Sequence, residues 1–444
     1  MSKNKMTLRF YGGVNEVGGN KVLLEDSDTK ILIDFGMSFS QRSKYYSDPF
    51  LSPRSADSLK ELGVLPDLKG VYEDSTPEVQ AVLLSHAHMD HAAYISFLNR
   101  KIPVYCGETT KTILDTLNQT RKKGLEFNIG NIQFRTFRTG KKFKIDSLEI
   151  EPIHVDHSIP GAYGFIIHTP SATIAYTGDF RTHGTKPEMT EEFIKKATNA
   201  QPEAVIPEGT NMTGAEIASE SEVEAKLTTI IKKASGIVLA DFARADVDRF
   251  RSFYKASKRN ERTLAITTRQ AYLLKALSQD EQLKLPSLKD ANIKIFQKTK
   301  KKHDKWEQEI LTQYEDKVVD STRISEKQRN IVLTLSFYDF EELVDIKPLP
   351  GSCYVLSASE PFNEEMQIDY DRLVNWLKHF GLPHYHVHIS GHVMPLELKD
   401  TLTTIRPKRI FPIHGEHPEL FSKFMSDPNS QITIVEKEKS YELK

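Results

Sequence analysis

The motif His-Ala-His-Met-Asp-His at residues 86–91 constrains the fold more than any other part of the sequence. The apolar run at residues 81–85 before it predicts a short buried strand, and residues 92–98 after it predict the first turns of a helix. The motif is therefore expected on a strand-to-helix loop, where its polar side chains can converge.

The four ligating side chains of this motif divide into two pairs. His86 and His88 are spaced to reach one metal ion, and Asp90 and His91 can turn to a second. Imidazole and carboxylate ligands suit zinc or manganese, and two ions about 3.5–4 Å apart suit phosphodiester hydrolysis. The motif thus predicts a two-metal site.

Further candidate ligands stand elsewhere in the sequence, each after a short run of apolar residues. They are Asp34, His157, Asp179 and His414. Side chains that follow short strands can gather at one rim of a sheet. Any one of them alone would more often be an ordinary polar loop residue, but together they favour a metal site.

Size and composition restrict the class of protein. A chain of 444 residues with 39% hydrophobic residues can bury a large core and is expected to form two domains. No stretch approaches the roughly 20 apolar residues of a membrane span, and residues 1–6 lack the apolar core of a signal peptide. The two cysteines, Cys106 and Cys353, have no metal-binding spacing, so a reducing cytoplasm is expected.

The net charge of −1 argues against a strongly basic coat for nucleic acid. Local basic stretches could still contact nucleic acid, although charge runs are often only solvated surface. These stretches are residues 121–123, 258–262 and 298–302.

The pattern of predicted secondary structure changes twice along the sequence. Residues 1–204 alternate short strand-like runs with turns and predict the first part of a metal-binding β-sandwich. Residues 205–380 alternate helices with apolar strands, as a parallel α/β sheet requires. Residues 381–444 return to the strand-then-ligand pattern and are expected to complete the first domain.

Several motifs carry a resemblance to a known family. Asp34, the motif at residues 86–91, His-Ser-Ile-Pro at 157–160 and Thr-Gly-Asp-Phe-Arg at 177–181 resemble the metallo-β-lactamase fold. Segments 207–211, 388–392 and 412–416 resemble its β-CASP nuclease branch, and the opening at residues 11–20 is similar to ribonuclease J. The fold class expected is α/β, an αββα sandwich with an inserted α/β β-CASP domain.

The resemblance implies a role for each candidate ligand. One metal ion would be held by His86, His88 and His157, the other by Asp90, His91 and His414, and Asp179 would bridge the two. Asp34 would orient a ligand imidazole through its far nitrogen. The cofactors expected are two divalent ions, with zinc preferred and manganese as the alternative.

The resemblance also suggests groups for the leaving oxygen and for a terminal phosphate. His392 is the candidate general acid, oriented by Glu208. His388, Ile389, Ser390 and Gly391, together with His392, would form a pocket for a 5′-phosphate. Ser357 and Ser359 are expected to face this pocket.

The sequence departs from the bacterial pattern in two respects. Residues 335–338 read Leu-Ser-Phe-Tyr where bacterial ribonuclease J proteins usually carry a Gly-Ser-Gln-Gly-type loop. The chain also ends some thirty residues after His414, a short form that looks more like archaeal members. The oligomeric state is left open, with a homodimer as one alternative.

The function expected is 5′-to-3′ exoribonuclease activity with a preference for 5′-monophosphate ends and, as an option, internal cleavage. RNA is the expected partner, and a membrane is not. One alternative is an endonuclease of the messenger-RNA 3′-processing or DNA-repair type, which would share the metal site. The other is a non-catalytic RNA-binding scaffold, which filled ligand positions disfavour.

Overall fold

The structure is a computed structural model that describes residues 5–47, 50–121, 124–214, 218–358, 364–425 and 429–443. The chain divides into two units. The first comprises Met1–Ala215 with Gly391–Lys444, and the second comprises Glu216–Ser390. The domain limits expected from the sequence lie about ten residues earlier at both junctions, after residues 204 and 380.

Two seven-stranded sheets build the first unit. The strands of one sheet are, in spatial order, Ser440–Leu443, Met6–Gly12, Lys21–Asp26, Thr29–Ile33, Ala81–Leu83, Val104–Gly107 and Phe134–Phe137. The strands of the other are Gln431–Ile432, Arg409–Ile410, Ala204–Ile206, Thr173–Tyr176, Tyr163–His168, Leu148–His154 and Phe143–Ile145. Both sheets mix antiparallel hairpins with parallel strands, so several strands end at the same edge.

The core of the first unit lies between these two sheets. Inward side chains of the first sheet, such as Phe10, pack in one cluster with Phe165 and Phe411 of the second. The Phe10 and Phe411 rings lie with centroids 5.8 Å apart. Period-two burial along the strands produces this shared face.

Helices cover the sandwich. Phe193 and Leu402, from two helices, pack on the outward face of the second sheet. The helices of this unit are Phe39–Arg42, Ala56–Glu61, Met89–Ala92, Glu108–Thr120, Pro187–Ala200, Pro395–Ile405 and Pro418–Phe424. The layers form the αββα sandwich that the sequence predicts.

The second unit is an α/β domain around one parallel sheet. Its strands are, in spatial order, Val318–Val319, Ile293–Phe296, Thr263–Thr267, Ile331–Thr334, Val238–Asp241, Cys353–Leu356 and His384–His386. Its helices are Glu220–Lys233, Val247–Arg259, Thr268–Leu277, Lys305–Gln313, Ser321–Glu326, Glu342–Ile346 and Glu364–His379. Central strands are buried on both faces, which is why they are continuous apolar runs.

Two details differ from the sequence expectations. The helix after the histidine motif begins inside it, as Met89–Ala92, and continues as the 3₁₀ segment Ala93–Phe97. The strand His384–His386, expected with the returning metal-binding part, pairs with Cys353–Leu356 in the inserted sheet. In the part of the chain that the structure describes, every helix is too short or too polar to cross a membrane.

Candidate metal centre

Ends of parallel strands position the predicted ligands. Asp34 directly follows the strand Thr29–Ile33, and the loop of His86 follows its parallel neighbour Ala81–Leu83. In the second sheet, Asp179 and His414 likewise follow strands that run in the same direction. Residues that follow neighbouring parallel strands lie at the same edge of a sheet, so ligands far apart in the sequence meet there.

One group of ligand atoms comes from His86, His88, His157 and Asp179, all within 4.8 Å of one another. His88 Nδ1 lies 3.0 Å from His86 Nε2 and 3.1 Å from His157 Nε2. Three imidazole nitrogens that face one another so closely match the donor set of a bound cation.

A second group comes from Asp90, His91, His414 and, again, Asp179. His414 Nε2 is 3.0 Å from Asp90 Oδ2, and His91 Nε2 is 3.1 Å from Asp179 Oδ2. The pairing of ligands is the same as the sequence analysis proposed for two ions.

Asp179 lies between the two groups. Its Oδ2 atom is within 3.9 Å of a ring nitrogen from each of five histidines: His86, His91, His157, His392 and His414. This oxygen is buried, and within the described part of the chain it accepts no hydrogen bond. A buried carboxylate oxygen without a donor is costly, and a shared cation would satisfy it. The residues present therefore fit a dinuclear metal site.

The electrostatic environment suits metal binding at the first ligand group. At the second group, burial opposes the charge of His91, but Asp179 and Asp34 raise the pKa of this side chain well above the usual range. Burial lowers the pKa of His86 and His157 well below the usual range and that of His88 to about 4, so these imidazoles are neutral. Burial opposes the charge of Asp179, but His414 and His91 hold its pKa well below the usual range. Neutral imidazoles and ionised carboxylates are the forms that bind metal ions.

Asp34 orients the imidazole of His91 by contacting Nδ1, the ring nitrogen that faces away from Asp179. The Asp34 Oδ2 atom lies 2.7 Å from His91 Nδ1 and accepts hydrogen bonds from the Ser85 and Tyr176 hydroxyls at 2.8 and 2.6 Å. Nδ1 is thereby engaged, and Nε2 of His91 is left facing Asp179.

Two site residues adopt an uncommon backbone conformation. Asp34 and His414 have φ angles of 57° and 55°, in the left-handed region that non-glycine residues rarely occupy. The His414 backbone N–H donates to the Gly13 carbonyl at 2.7 Å, which holds this turn in place. Such local strain concentrates at functional sites because the surrounding structure has to maintain it.

His392 and Glu208 form the pair that the sequence analysis suggested. His392 Nδ1 is 2.8 Å from Glu208 Oε2. Burial opposes the charged imidazolium, but the Glu208 and Asp179 carboxylates outweigh burial and raise the pKa of His392 to about 9. His392 is therefore protonated at neutral pH and able to give up a proton.

Thr210 and Gly391 contribute contacts that the sequence analysis did not anticipate. The Thr210 hydroxyl donates to Glu208 Oε2 at 2.7 Å and lies 2.9 Å from His414 Nδ1. The Gly391 carbonyl accepts a hydrogen bond from His157 Nδ1 at 2.6 Å. Thr210 belongs to the segment at residues 207–211, where only Glu208 stood out, because a lone threonine carries no signal.

Ser357, which was expected to face the phosphate pocket, is buried inside the second unit. Its hydroxyl contacts the Val387 carbonyl and the Arg249 guanidinium. It therefore stabilises the inserted domain internally and does not face a ligand. Ser359 lies outside the described residues. His388 and Ser390 are half-buried, and Ile389 between them is buried.

Known proteins resemble the chain in both fold and sequence. The family described as "Beta-lactamase superfamily domain" matches residues 30–208. A solved structure, titled a protein of unknown function from Enterococcus faecalis V583, superimposes with a TM-score of 0.80 and 23% identity, and covers 99% of this chain and 100% of that one. The fold and the histidine-aspartate groups define a metallo-β-lactamase-fold protein.

Among proteins of the metallo-β-lactamase fold, the curated relatives similar to this chain are ribonucleases. Ribonuclease J of Mycoplasma genitalium is 25% identical over 94% of this chain and 69% of its own length. Ribonuclease J of Thermus thermophilus is 27% identical over 97% of this chain and 73% of its own. The corresponding protein of Mycobacterium tuberculosis is 26% identical, over 94% and 70%. The chain is therefore similar to proteins named ribonuclease J along nearly its whole length.

Proposed function

We propose that the chain is a metal-dependent ribonuclease that removes nucleotides from the 5′ end of RNA. The observation that carries the proposal is the position of Asp179 Oδ2, buried between two groups of ligands and close to five imidazoles. The relatives named ribonuclease J support RNA as the substrate.

Two sets of side chains would hold the metal ions that hydrolysis requires. When bound, two divalent ions would lower the pKa of a water nucleophile and offset phosphate charge, with zinc preferred over manganese. His86, His88 and His157 would hold one ion, and Asp90, His91 and His414 the other, with Asp179 between them.

The leaving 3′-oxygen needs a proton. Glu208 holds Nδ1 of His392, so Nε2 is the atom that would deliver this proton. Thr210 fixes the Glu208 carboxylate, which keeps the imidazole both oriented and charged.

The direction of digestion would come from the loop at His388, Ser390 and Gly391. A hydroxyl, an imidazole and a close backbone N–H suit a terminal monophosphate, and a triphosphate adds volume and charge. Cys106 and Cys353 are buried free thiols, which supports a reducing cytoplasmic location. That the chain forms a homodimer is a further prediction, which sedimentation analysis of the purified protein would test.

Time-resolved analysis of end-labelled RNA tests the proposal. RNA with a 5′-monophosphate should release mononucleotides progressively and faster than RNA with a 5′-triphosphate or a 5′-hydroxyl. Circular RNA of the same sequence reports internal cleavage. Equal digestion rates for circular and linear RNA would favour the endonuclease alternative, and binding without cleavage would favour the scaffold.

A further inference from the structure

The side-chain amide of Asn20 lies among the ligands of the second group. Its Nδ2 atom is 3.0 Å from His91 Nε2, the ring nitrogen that faces Asp179. The residue is fully buried, and within the described part of the chain its Oδ1 atom accepts no hydrogen bond. A buried amide oxygen without a donor is costly, so it indicates a partner that the protein itself does not supply.

The backbone holds Asn20 in this position independently of its side chain. Its N–H donates to the Asp90 carbonyl at 3.0 Å, and its carbonyl accepts from the Gly36 N–H at 3.0 Å. Beside the amide lies Gly13, with a φ of 72°, where a Cβ atom would collide with Asn20 Oδ1. The Gly13 carbonyl in turn accepts from the His414 N–H at 2.7 Å. Asn20 is therefore packed between the turns that carry the ligands of the second group.

A cation bound at this group would decide which end of the amide faces it. Nε2 of His91 is the atom that would bind the second ion, since Nδ1 contacts Asp34. A cation on this nitrogen repels the partly positive amide N–H and attracts the amide oxygen. Half a turn about the Cβ–Cγ bond exchanges the two ends of an asparagine amide, which have nearly the same size. The oxygen then takes the position of Nδ2, next to His91 Nε2.

The spacing at this position matches that of two ligands on one ion. Ligand atoms that bind an ion at right angles, with bonds of about 2.1 Å, lie about 3.0 Å apart. Asn20 Nδ2 is 3.0 Å from His91 Nε2, and His414 Nε2 is 3.0 Å from Asp90 Oδ2. His91 Nε2 is 3.1 Å from Asp179 Oδ2. The amide is thus as close to its neighbour as the ligand atoms of this group are to one another.

An amide oxygen affects manganese and zinc differently. Zinc usually takes four ligands, and the second group supplies four without Asn20. Manganese prefers carboxylate and carbonyl oxygens in octahedral geometry, so it gains from a fifth protein ligand. The amide oxygen should therefore stabilise Mn²⁺ at this position more than Zn²⁺.

We propose that Asn20 is a fifth protein ligand of the second ion, and that its amide oxygen raises the preference of this position for manganese over zinc. The role is that of a metal ligand and requires no contact with substrate. The proposal rests on the two-ion centre of the proposed function and is independent of which nucleic acid the chain cleaves.

Calorimetric titration of the metal-free full chain with Mn²⁺ and, separately, with Zn²⁺ tests the assignment. Asn20→Ala should weaken binding of the second Mn²⁺ about tenfold or more, since even residues that only orient a ligand contribute about this much. The loss for Zn²⁺ should be smaller. Asn20→Asp keeps an oxygen and adds a charge, so it should bind the second Mn²⁺ at least as tightly as wild type. Asn99→Ala, at a buried asparagine whose amide donates to the Tyr72 and Ser75 carbonyls, is the matched control.

The cobalt-loaded chain gives a second readout, because visible absorption of Co²⁺ strengthens when its coordination number falls. After the second equivalent of Co²⁺, Asn20→Ala should absorb more strongly than wild type, and Asn99→Ala should not. Circular dichroism of each variant verifies that the fold is retained.

The assignment is overturned if Asn20→Ala binds the second Mn²⁺ as tightly as Asn99→Ala does. Equal losses in Asn20→Asp and Asn20→Ala would also overturn it, since the N–H would then be the important group. Equal losses for Mn²⁺ and Zn²⁺ would overturn it by showing a general distortion of the site. A wild-type chain that binds fewer than two ions would overturn the two-ion centre itself, so failure of the proposed function is distinguishable from failure of the Asn20 assignment.

Discussion

Asp179 is the side chain on which the metal centre depends most, since its Oδ2 atom adjoins both ligand groups. Asp179→Ala and His86→Ala should each abolish hydrolysis and lower the bound metal, while the fold is retained. Metal analysis and circular dichroism of the purified variants check this. His168→Ala, at a histidine outside the ligand groups, is the control and should keep its metal. Full activity in either ligand variant, with metal content verified, would contradict the two-metal arrangement.

His392 is expected to act in the chemical step. Losing a general acid costs about 10²–10⁴-fold in rate, and ground-state RNA binding depends on it much less. Single-turnover hydrolysis and RNA affinity of His392→Ala separate the two effects. An unchanged rate with collapsed binding would show that His392 only binds RNA.

Lys21 makes the stability of the fold depend on pH. Its ammonium is fully buried between the rings of Phe35 and Tyr94, and burial lowers its pKa from 10.5 to about 7. Between pH 7 and 10.5 the unfolded chain therefore holds a proton that the native chain lacks, so native stability rises with pH. Below pH 7 both states are charged and this slope ends.

Urea unfolding of wild type and Lys21→Met at pH 6 to 10 measures this effect. The stability of wild type relative to the variant should rise above pH 7, by up to about 4–5 kcal/mol over the whole window. Lys30→Met, at a partly exposed lysine on the next strand, is the matched control. A constant difference between wild type and Lys21→Met across this range would refute the assignment.

Some site residues were predictable from the sequence and others were not. Asp34 and Asp179 stood out because each follows a short apolar run, as His157 and His414 do, and the four residues together favour a metal site. Ser85, Tyr176 and Thr210 did not, because a hydroxyl can bond almost any neighbour and only the fold decides which. The prediction that Ser357 faces the phosphate pocket was wrong for the same reason. The sequence does not reveal that the buried Arg249 side chain donates to the Ser357 hydroxyl.

At the scale of elements, Arg249 joins four segments of the inserted unit. Its guanidinium is fully buried and contacts Glu220 at 3.1 Å, the Val387 carbonyl at 3.1 Å and the end of the strand Cys353–Leu356 through Ser357. Removing one partner of a buried ion pair leaves an uncompensated charge. The pair therefore stabilises the carboxyl edge of this sheet.

Arg249→Met should destabilise the inserted unit by about 3–5 kcal/mol, since the Glu220 charge loses its partner. The double variant Arg249→Met with Glu220→Gln should recover part of this loss. Hydrogen exchange of the strands Cys353–Leu356 and Val238–Asp241 localises the effect. Unaltered exchange in Arg249→Met would mean that the pair does not support the sheet.

Ser390 tests the loop that is expected to take the terminal phosphate. Ser390→Val fills the loop and removes a donor, while every metal ligand is kept. End-dependent digestion should then fall, and any internal cleavage should survive. The readout is the ratio of rates on 5′-monophosphorylated and circular RNA. An unchanged 5′-end preference would exclude Ser390 from phosphate recognition.

Regular elements were the part of the fold most open to prediction. The helix Glu220–Lys233 and the strands Ile331–Thr334 and Cys353–Leu356 lie in residues 205–380, where the sequence predicts alternating helices and apolar strands, because helical period and buried apolar runs define such elements locally. The short strand His384–His386 was expected in the other unit. Its three residues are exposed at a sheet edge, so no apolar pattern marks its partner.

At the scale of the whole molecule, the metal ligands found among the described residues all belong to the first unit. Metal removal should therefore destabilise this unit selectively, because bound ions stabilise only the native state that holds them. After chelation, hydrogen exchange should rise around residues 81–98, 153–181 and 411–416. The parallel strands Val238–Asp241 and Ile331–Thr334 should be unaffected. Uniform deprotection of both units would argue against a site confined to the first.

The contact between Asp90 and His414 spans 324 residues of chain. During synthesis, the segment that carries His414 leaves the ribosome only after the whole α/β unit has been made. A nascent chain that has not yet released this segment lacks one ligand of the second group, however well its earlier parts have folded. The order of synthesis thus means that the second ligand group can be completed only after the α/β unit has been made.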